Sequence, residues 1–421
     1  MKILILSNNP LSQTANNGKT IRSIIKALGD HEFAQIFFSS GSAEGLAGDS
    51  QYSVTDEELV GLFFKRLNLR SALNEKKTET SSELKNDRSF MDGASPFKSE
   101  LYRLIREVLW KLPLGHKKRL MGFAESFKPD LLFITAGDFI FANKLALDVQ
   151  LKTNCRLVTY CTDDYVLTKH GFNILGHVRS FFILAGLKQL IRRSSSYLTI
   201  SESMKIAYEQ VFDKGSTLAY NTVELRREPE NFPRFFPCDE RITFVYAGGL
   251  HLDRISSIAI LAEHLEMLTE SVVIKIYSHD SDKLEIRNKM RGYKTVELML
   301  PVEADALGPI LDNADILLHV ESFDPYFSSR THFSLSTKIP EYLSYGKPLL
   351  AIGPQNLASM KHVRDCCVCI THPESDMAKV TQLINSKAYR EDVGARCLKK
   401  FNTDHDPALL KADLKKAFGC E

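Results

Sequence analysis

The chain has 421 residues, of which 44% are hydrophobic, and this length suits two domains of about 200 residues each. Its formal net charge of +2 excludes a general electrostatic attraction to nucleic acid, so any anionic partner needs a local cluster of cations. The opening stretch, MKILILSNNP, lacks the long apolar core and the cleavage site of a signal peptide. We therefore expect a cytoplasmic protein.

Two sequence features argue against a membrane span and against a metal site. The longest apolar stretch, Phe181–Leu187, is interrupted by Lys188 and is too short to cross a bilayer. The eight cysteines are scattered except for Cys366, Cys367 and Cys369, which lack the paired spacing and the histidines of a zinc site. We interpret this cluster as reduced, buried thiols on a strand.

The first half of the chain alternates strands and helices. A strand over 3–6, a polar loop, a helix over 20–28 and a strand over 36–38 open it. Residues from about 41 to 98 are too polar to build a core, which predicts an exposed, mobile insertion. Beyond it the pattern predicts helices over 100–112, 117–127 and 202–211 and strands over 131–135, 156–160, 197–200 and 217–219.

A proline-rich, charged segment over 226–240 has the composition of a linker. A second alternating series follows, with strands predicted over 242–247, 272–277, 296–298, 316–320 and 348–352. The sequence therefore predicts an α/β protein of two Rossmann-like, doubly wound domains, over 1–225 and 241–400, that face each other across a ligand-binding cleft. A final helix is expected within 401–421, and packing against the N-terminal domain is one option for it.

Two glycines directly after a predicted strand are candidates for binding a diphosphate. Gly248 and Gly249 have no side chains, so backbone amides there can approach phosphates closely. The alternative is a glycine turn that binds no ligand. Arg254 follows nearby, and a guanidinium suits phosphate geometry, although a solvated surface arginine is the alternative for this residue.

The segment LSTKIPEYLSYGKPLLAIG carries a second candidate. Ser336 or Thr337 fits a helix N-cap, Pro340 fits the first turn, and Lys338 then lies at the positive end of the helix dipole. A cation at that place is locally unfavourable, and a bound diphosphate would offset the repulsion. The alternative is a lysine that extends into solvent. We expect substitution of Lys338 or Arg254 to leave the fold intact.

In the first half, Asp163 and Asp164 follow the strand over 156–160, so both are expected at the ligand-binding edge of its sheet. They are candidates for orienting an acceptor hydroxyl or supporting the transition state, and a pair of aspartates that caps the next turn is the alternative. Three histidines are expected near the cleft, and none is assigned as a base: His170, His251 and His332.

Four segments, over 16–20, 198–224, 244–254 and 335–353, resemble the glycosyltransferases called group 1, or family 4, which have the two-domain GT-B fold. The four appear in family order and span nearly the whole chain. The resemblance implies transfer of a sugar, with retention, from a nucleoside diphosphate sugar to an acceptor hydroxyl, in the synthesis of cell-surface polysaccharides or glycans. It implies no cofactor, and the cations replace a metal.

The resemblance also implies roles for individual residues. Arg254 and Lys338 are expected against the donor phosphates, and Glu341 is expected to accept hydrogen bonds from the ribose hydroxyls. Phe333 stands where the family often has another glutamate, so backbone amides over 334–336 are the alternative sugar contact. The remaining predicted contacts are the donor-binding Gly248, Gly249, Ser336 and Thr337 and the acceptor or phosphate loop with Asn17 and Gly18.

Two rival functions and one further partner stay open. A sugar-nucleotide epimerase has the same paired architecture, and a sugar-nucleotide-binding protein without catalysis is the third reading. The segment over 172–194 combines aromatic, aliphatic and basic residues, which fits either a buried domain helix or peripheral contact with an anionic inner-membrane surface. At such a surface the acceptor would be a lipid-linked glycan. Nucleic acid is not expected as a partner.

Overall fold

The computed structural model describes residues 1–12, 16–66, 96–167, 174–223, 241–268 and 271–420. The chain forms two compact units. Unit 1 comprises Met1–Ile200, Lys205–Ala219 and Asp413–Glu421, and unit 2 comprises Ser201–Met204 and Tyr220–Ala412. The predicted linker over 226–240 and His170 lie outside the described residues.

Unit 1 is built on a parallel sheet of seven strands in the order β3-β2-β1-β4-β5-β6-β7. Its central strands are buried on both faces and therefore read as continuous apolar runs. The strands are β1 (Lys2–Ser7), β2 (Glu32–Phe37), β3 (Gln51–Ser53), β4 (Leu131–Ala136), β5 (Arg156–Cys161), β6 (Ser196–Thr199) and β7 (Thr217–Leu218).

α-Helices connect most of these parallel strands, whereas a short 3-10 helix, Gly48–Ser50, lies between β2 and β3. The α-helices are α1 (Asn16–Leu28), α2 (Asp56–Arg66), α3 (Pro96–Lys111), α4 (His116–Phe127), α5 (Ile140–Thr153), α6 (Ile174–Arg193) and α7 (Glu202–Phe212). The chain's last residues also belong to unit 1, because the ring centroid of Phe418 lies 5.1 Å from that of Phe133 on β4.

The prediction of an exposed insertion over 41–98 is wrong for residues 51–66. β3 pairs in parallel with β2, and Val54 and Leu59 are fully buried. On α2, Asp56 accepts hydrogen bonds from the side chains of Arg106 and Trp110 at 3.0 and 2.9 Å. The average polarity of the segment hides these few anchoring residues. Residues 67–95 lie outside the described structure.

Unit 2 contains a parallel sheet of six strands in the order β10-β9-β8-β11-β12-β13. Its strands are β8 (Ile242–Ala247), β9 (Val272–Tyr277), β10 (Val296–Met299), β11 (Ile316–Val320), β12 (Leu349–Ile352) and β13 (Val368–Ile370). The helices are α8 (Arg254–Leu268), α9 (Leu284–Met290), α10 (Ala304–Asp312), α11 (Pro325–Arg330), α12 (Lys338–Ser344), α13 (Ala358–Val363), α14 (Pro373–Asp376), α15 (Ala378–Asn385), α16 (Lys387–Asp404) and α17 (Pro407–Phe418), of which the last continues into unit 1.

Both sheets are doubly wound, as the sequence predicts. In unit 1 the strand order reverses between β1 and β4, and in unit 2 it reverses between β8 and β11. Loops leaving adjacent strands at such a point diverge to opposite faces and open a crevice at the carboxyl edge of the sheet, where ligands of these folds bind. The crevice of unit 2 is formed by the loops that follow Ala247 and Val320.

Among the described residues, α6 is the one helix that is long and apolar enough to cross a membrane by length and composition. The interruption at Lys188 leads us to expect no membrane span here. One face of α6 packs in unit 1 through Ile183, Leu187 and Leu190, and its Arg179 is paired with Asp138 at 2.7 Å. The apolar character of α6 therefore has a source in the core of the unit.

Candidate functional site

The side chain of Lys338, the first residue of α12, packs against the backbone of Gly248 in the loop after β8. Gly248 has a φ of +147°, which glycine adopts without strain. A Cβ atom at Gly248 would lie 1.7 Å from the Nζ atom of Lys338. The glycine is therefore required for this close approach, and the two predicted donor-binding residues are in direct contact although 90 positions separate them.

The Lys338 side chain is half-buried against Tyr246. Its Nζ atom lies 3.3 Å from the Tyr246 hydroxyl and 4.5 Å from the centroid of the ring. Burial, together with repulsion from Arg254, lowers the pKa of Lys338 to about 7, although the carboxylates of Glu321 and Glu341 act in the opposite direction. The protein thus holds an ammonium group that an added anion would stabilise.

Arg254, the first residue of α8, pairs with a carboxylate that the sequence analysis does not identify. Its Nη2 atom lies 3.5 Å from Oε2 of Glu321, and the two side chains are 14% and 4% exposed. Burial alone lowers the pKa of Arg254, but Glu321 and Tyr246 raise it by more. The guanidinium is therefore charged and held in place by a buried ion pair.

Glu321 follows β11 directly, so it lies at the reversal of strand order opposite Gly248. Burial raises the pKa of its carboxyl group, but Arg254 and the neighbouring His319 lower it by more, to about 2. The Nε2 atom of His319 lies 3.4 Å from Oε1 of Glu321. The signal for Glu321 in the sequence is its place directly after an apolar strand, where carboxylates at a ligand edge occur.

The rest of the β8–α8 loop is held in an unusual backbone conformation. Leu252 and Asp253 both have positive φ values, of 63° and 53°. The backbone N–H of Leu250 donates to Asp280 at 2.8 Å, and the Tyr246 hydroxyl donates to the carbonyl of Gly249 at 2.6 Å. Such strain is maintained only where the surroundings impose it, and it is common at ligand sites.

The start of α12 differs in detail from the predicted cap. Thr337 occupies the N-cap position, but its side chain makes no capping hydrogen bond. The backbone N–H of Ser336 donates to Ser359 Oγ at 3.1 Å, so this amide has a partner within the protein. Glu341 lies in the first turn and is 9% exposed. The carbonyl of Phe333, where the resembling family often has a glutamate, accepts a hydrogen bond from the Ser201 hydroxyl.

In unit 1 the two predicted aspartates have different surroundings. Asp164 is buried, and its Oδ1 atom accepts hydrogen bonds from the backbone of Val166 and Leu167 and from the Tyr208 hydroxyl at 3.0, 2.9 and 2.8 Å. These contacts support the alternative of a turn-capping residue for Asp164. Asp163 is less buried and follows β5 at the carboxyl edge of the sheet, so it stays the candidate for contacting an acceptor.

The predicted glycine loop near the N-terminus is part of a helix. Gly18 lies within α1, and a Cβ atom there would come within 2.5 Å of the Pro10 carbonyl oxygen. This close packing gives Gly18 a structural reason, so a phosphate-binding role for it stays a prediction. The Asn17 side chain lies outside the described residues.

Within the described ranges, no group of three or more histidine, cysteine, aspartate or glutamate side chains is arranged to hold a metal ion. Cys366 and Cys367 are buried, and Cys369 lies on β13; all three are free thiols.

The contact between Gly248 and Lys338 gives the first testable prediction. In a Gly248→Ala variant the new Cβ must displace the flexible end of Lys338, and alanine is strained at a φ of +147°. We therefore expect a folded protein that loses about 1 to 3 kcal/mol of unfolding free energy. Displacement of the ammonium should weaken binding of a nucleoside diphosphate by about tenfold, the cost of one hydrogen bond to a charged group. Calorimetric titration measures this, and unchanged affinity would show that Lys338 does not contact the ligand.

No protein-family model matches the sequence, and no curated protein sequence matches it either. Solved structures do match over the whole chain. The lipopolysaccharide outer core galactosyltransferase WaaB has a TM-score of 0.61 at 13% identity, covering 100% of this chain and 99% of its own. HepE from Anabaena, in complex with UDP-glucose, has a TM-score of 0.63 at 12% identity, covering 100% of both chains.

A third match is the UDP-forming α,α-trehalose-phosphate synthase from Burkholderia xenovorans, in complex with glucose-6-phosphate, with a TM-score of 0.61 at 10% identity and 100% coverage of both chains. At these identities the similarity identifies the fold, and the residues of the site must carry any argument about activity. The chain has the α/β architecture of GT-B glycosyltransferases, with two doubly wound parallel sheets, as the sequence resemblance predicts.

Proposed function

We propose that the protein is a glycosyltransferase that moves a sugar from a nucleoside diphosphate sugar to an acceptor hydroxyl, with retention at the anomeric carbon. One observation carries the proposal. The Lys338 ammonium lies on the bare backbone of Gly248, beside Arg254, at the reversal of strand order in unit 2. Two cations and a glycine loop at this edge are suited to a diphosphate.

The contacts of the two cations, Arg254 and Lys338, favour a site that binds an anionic ligand. Arg254 is neutralised by Glu321, whereas Lys338 has a neutral tyrosine hydroxyl and an aromatic face as its nearest contacts. Burial and the nearby Arg254 lower the pKa of Lys338, so its charged form is unfavourable in the free protein. A diphosphate would give the ammonium a direct anionic contact, which Glu321 and Glu341 do not provide among the described contacts of Lys338.

In the proposed reaction these groups stabilise the charge that develops on the departing nucleoside diphosphate. Fixed cations and backbone amides need no reorganisation when the bond to the sugar breaks, which is the most effective form of electrostatic catalysis. Lys338 and Arg254 would then take the part that a metal ion plays in other transferases, and no metal or cofactor is required. Glu341 is proposed to bind the ribose hydroxyls through its two acceptor oxygens.

The acceptor is proposed to bind at unit 1 near Asp163, and to be a glycan or a lipid-linked glycan used in cell-surface polysaccharide synthesis. The second candidate function is a sugar-nucleotide-binding protein without catalysis. It is favoured by Phe333, which replaces a glutamate that family members use at the sugar and whose carbonyl is bonded to Ser201. Both candidate functions require binding of a sugar nucleotide, but only the transferase turns it over.

A thermal-shift screen of sugar nucleotides tests the proposal. A ligand that binds the native state raises the unfolding temperature with the logarithm of its concentration above Kd. We expect a uridine, guanosine or adenosine diphosphate sugar to raise it, and release of the nucleoside diphosphate on adding acceptor to identify the transferase. A shift without turnover would favour the binding protein, and no shift with any of them would exclude both.

Donor affinity is expected to depend on pH through Lys338. With a pKa of about 7 in the free protein, this lysine is charged below pH 7 and neutral above it. A bound diphosphate raises the pKa, so affinity should be constant below pH 7 and fall above it by a factor approaching about ten per pH unit. A sugar nucleotide is the right titrant because its diphosphate does not titrate in this range.

The matched control is Lys338→Arg, because a guanidinium keeps its proton throughout this range. Calorimetric titrations between pH 6 and 9 should therefore show a falling affinity for the natural protein and a flat profile for this variant. A flat profile for both proteins would contradict the placement of Lys338 at the phosphates.

Contact with an anionic membrane surface is a further proposal, supported by the solvent-facing side of α6. Ile174 and Phe181 are 76% and 66% exposed there, and basic side chains follow on the same side of the helix. We expect sedimentation with anionic liposomes at low salt and release at high salt, because screening weakens electrostatic attachment. Protein that stays in the supernatant at low salt would contradict this proposal and leave the transferase proposal untouched.

A further inference from the structure

Unit 1 contains a cavity of about 800 Å³ between α3, α4 and α5. This volume falls within the range of roughly 300 to 1,000 Å³ that is usual for small-molecule sites. One corner is built from rings: Trp110 and Phe141 are stacked with centroids 3.9 Å apart, and His116 meets Trp110 edge-on at 5.3 Å. Leu120, Met121 and Leu145 complete an apolar wall.

The cavity lies at the ligand-binding edge of the unit. α5 follows β4, so its first turns begin at the carboxyl end of that strand, and α4 leads into β4, so its N-terminus lies at the same edge. β4 is also one of the two strands between which the strand order reverses. Asp163, the candidate acceptor contact, follows the adjacent strand β5. The topology therefore places the cavity and Asp163 along one edge.

The rim of the cavity is basic. It carries Lys111, Lys117, Lys118 and Lys144, all solvent-exposed, against one acidic residue, Asp148, which is paired with Lys117 at 2.5 Å. An apolar wall below and a surplus of lysines at the mouth match a ligand that has a hydrocarbon part and an anionic head group. A neutral sugar or a nucleotide would leave most of the apolar wall without a matching partner.

A buried histidine, His116, lines the cavity beside Trp110. His116 is 2% exposed and its Nε2 atom lies 3.3 Å from the Trp110 carbonyl oxygen, so Nε2 carries the proton and donates. Burial lowers the pKa of His116, which keeps the ring neutral and Nδ1 an acceptor. That Nδ1 has no hydrogen-bond partner among the described residues. Because this atom has no exposed surface, a ligand in the cavity does not reach it, and His116 contributes to the wall through its ring.

We propose that this cavity binds the acceptor substrate, and that the acceptor is an anionic amphiphile whose hydrocarbon part packs against Trp110 and Phe141 while its anionic group contacts Lys118 and Lys144. The inference rests on the proposed transfer reaction, because it assigns the cavity to the acceptor of that reaction. It narrows the acceptor from glycans in general to molecules with a hydrocarbon anchor and a negative charge.

Trp110 provides a direct measurement, because it is the single tryptophan of the 421 residues. Dodecyl phosphate, added below its micelle concentration, should change the tryptophan emission in a saturable way. Shortening the chain should weaken binding by about fourfold per methylene, as expected for hydrocarbon transferred from water. The neutral dodecyl maltoside should bind at least about tenfold more weakly, and added salt should weaken only the phosphate.

The double variant Lys118→Glu with Lys144→Glu tests the head-group contact. Both residues are exposed, so folding should be unaffected, and affinity for dodecyl phosphate should fall by about tenfold or more. The matched control is Lys399→Glu, an exposed lysine of unit 2, which should bind normally. The proposal would be overturned if all three proteins bound dodecyl phosphate with equal affinity, or if the Trp110 emission showed no saturable change. It would also be overturned if the emission changed on adding anionic vesicles and not on adding monomeric dodecyl phosphate.

These outcomes are distinguishable from failure of the transferase proposal. Sugar-nucleotide binding to unit 2 without any response of Trp110 to amphiphiles would leave the transferase and remove the amphiphilic acceptor. Conversely, saturable binding of dodecyl phosphate in a protein that binds no sugar nucleotide would keep the cavity as an amphiphile site and remove its role as acceptor site. Transfer of sugar to an amphiphile with a free hydroxyl, lost in the double variant, would support both.

Discussion

Replacing Lys338 with alanine is expected to lower the rate of sugar transfer by about 100-fold or more while the protein stays folded. The ammonium of Lys338 lies on the backbone of Gly248, where the proposed diphosphate would leave. Removal of one fixed electrostatic donor at such a position has this effect in other enzymes. Steady-state kinetics with a donor found in the screen measures it.

The stability of the Lys338→Ala variant should not fall with its rate of transfer. The pKa of Lys338 is about 7 in the folded protein, below the ordinary value of 10.5 that applies in the unfolded chain. The charge of Lys338 therefore destabilises the fold below pH 7. This destabilisation disappears as the pH rises from about 7 to 10.5, the pKa of the lysine in the unfolded chain. We expect Lys338→Ala to be as stable as the natural protein at pH 6, or more so. Near-normal turnover of this folded variant would remove the phosphate role.

Replacing Arg254 with alanine is expected to lower both activity and stability. The variant leaves the carboxylate of Glu321, 4% exposed, without its cationic partner. Removing one member of a buried ion pair typically costs about 3 kcal/mol or more of unfolding free energy. This prediction differs from the expectation from sequence, because the sequence does not reveal Glu321 as the partner of Arg254.

The double variant Arg254→Met with Glu321→Gln separates the two effects. Without the buried carboxylate, no unpaired charge is left in the fold, so the double variant should regain most of the lost unfolding free energy. Denaturant unfolding measures this recovery. Transfer should stay low because the guanidinium is absent. If Arg254→Ala unfolds at the same denaturant concentration as the natural protein, the ion pair does not hold the site together.

The sequence predicts the fold well because its strands are apolar runs between turn signals. The bounds of β8, β9 and β11 are predicted without error, and those of β4 and β5 within one residue. β3 and α2 are missed, because two buried residues, Val54 and Leu59, hold a polar segment to the sheet. The average polarity of a long segment does not reveal two buried residues within it.

The candidate site is only partly predictable. Gly248, Arg254 and Lys338 are identified from local patterns and resemblance, and the structure brings them together. Glu321 is missed because its partner Arg254 is 67 positions away in the chain, and pairing across that separation depends on the order of strands in the sheet. For Asp164 the capping contacts support one of the two roles that the sequence leaves open.

A diphosphate site in unit 2 can be tested by calorimetric titration of the natural protein and Lys338→Ala with uridine, guanosine and adenosine diphosphates at pH 6.5. We expect at least one nucleoside diphosphate to bind the natural protein, and to bind the folded variant at least about tenfold more weakly. Equal affinity for both proteins, or no binding of any of the three to the natural protein, would contradict a diphosphate site at Gly248, Arg254 and Lys338.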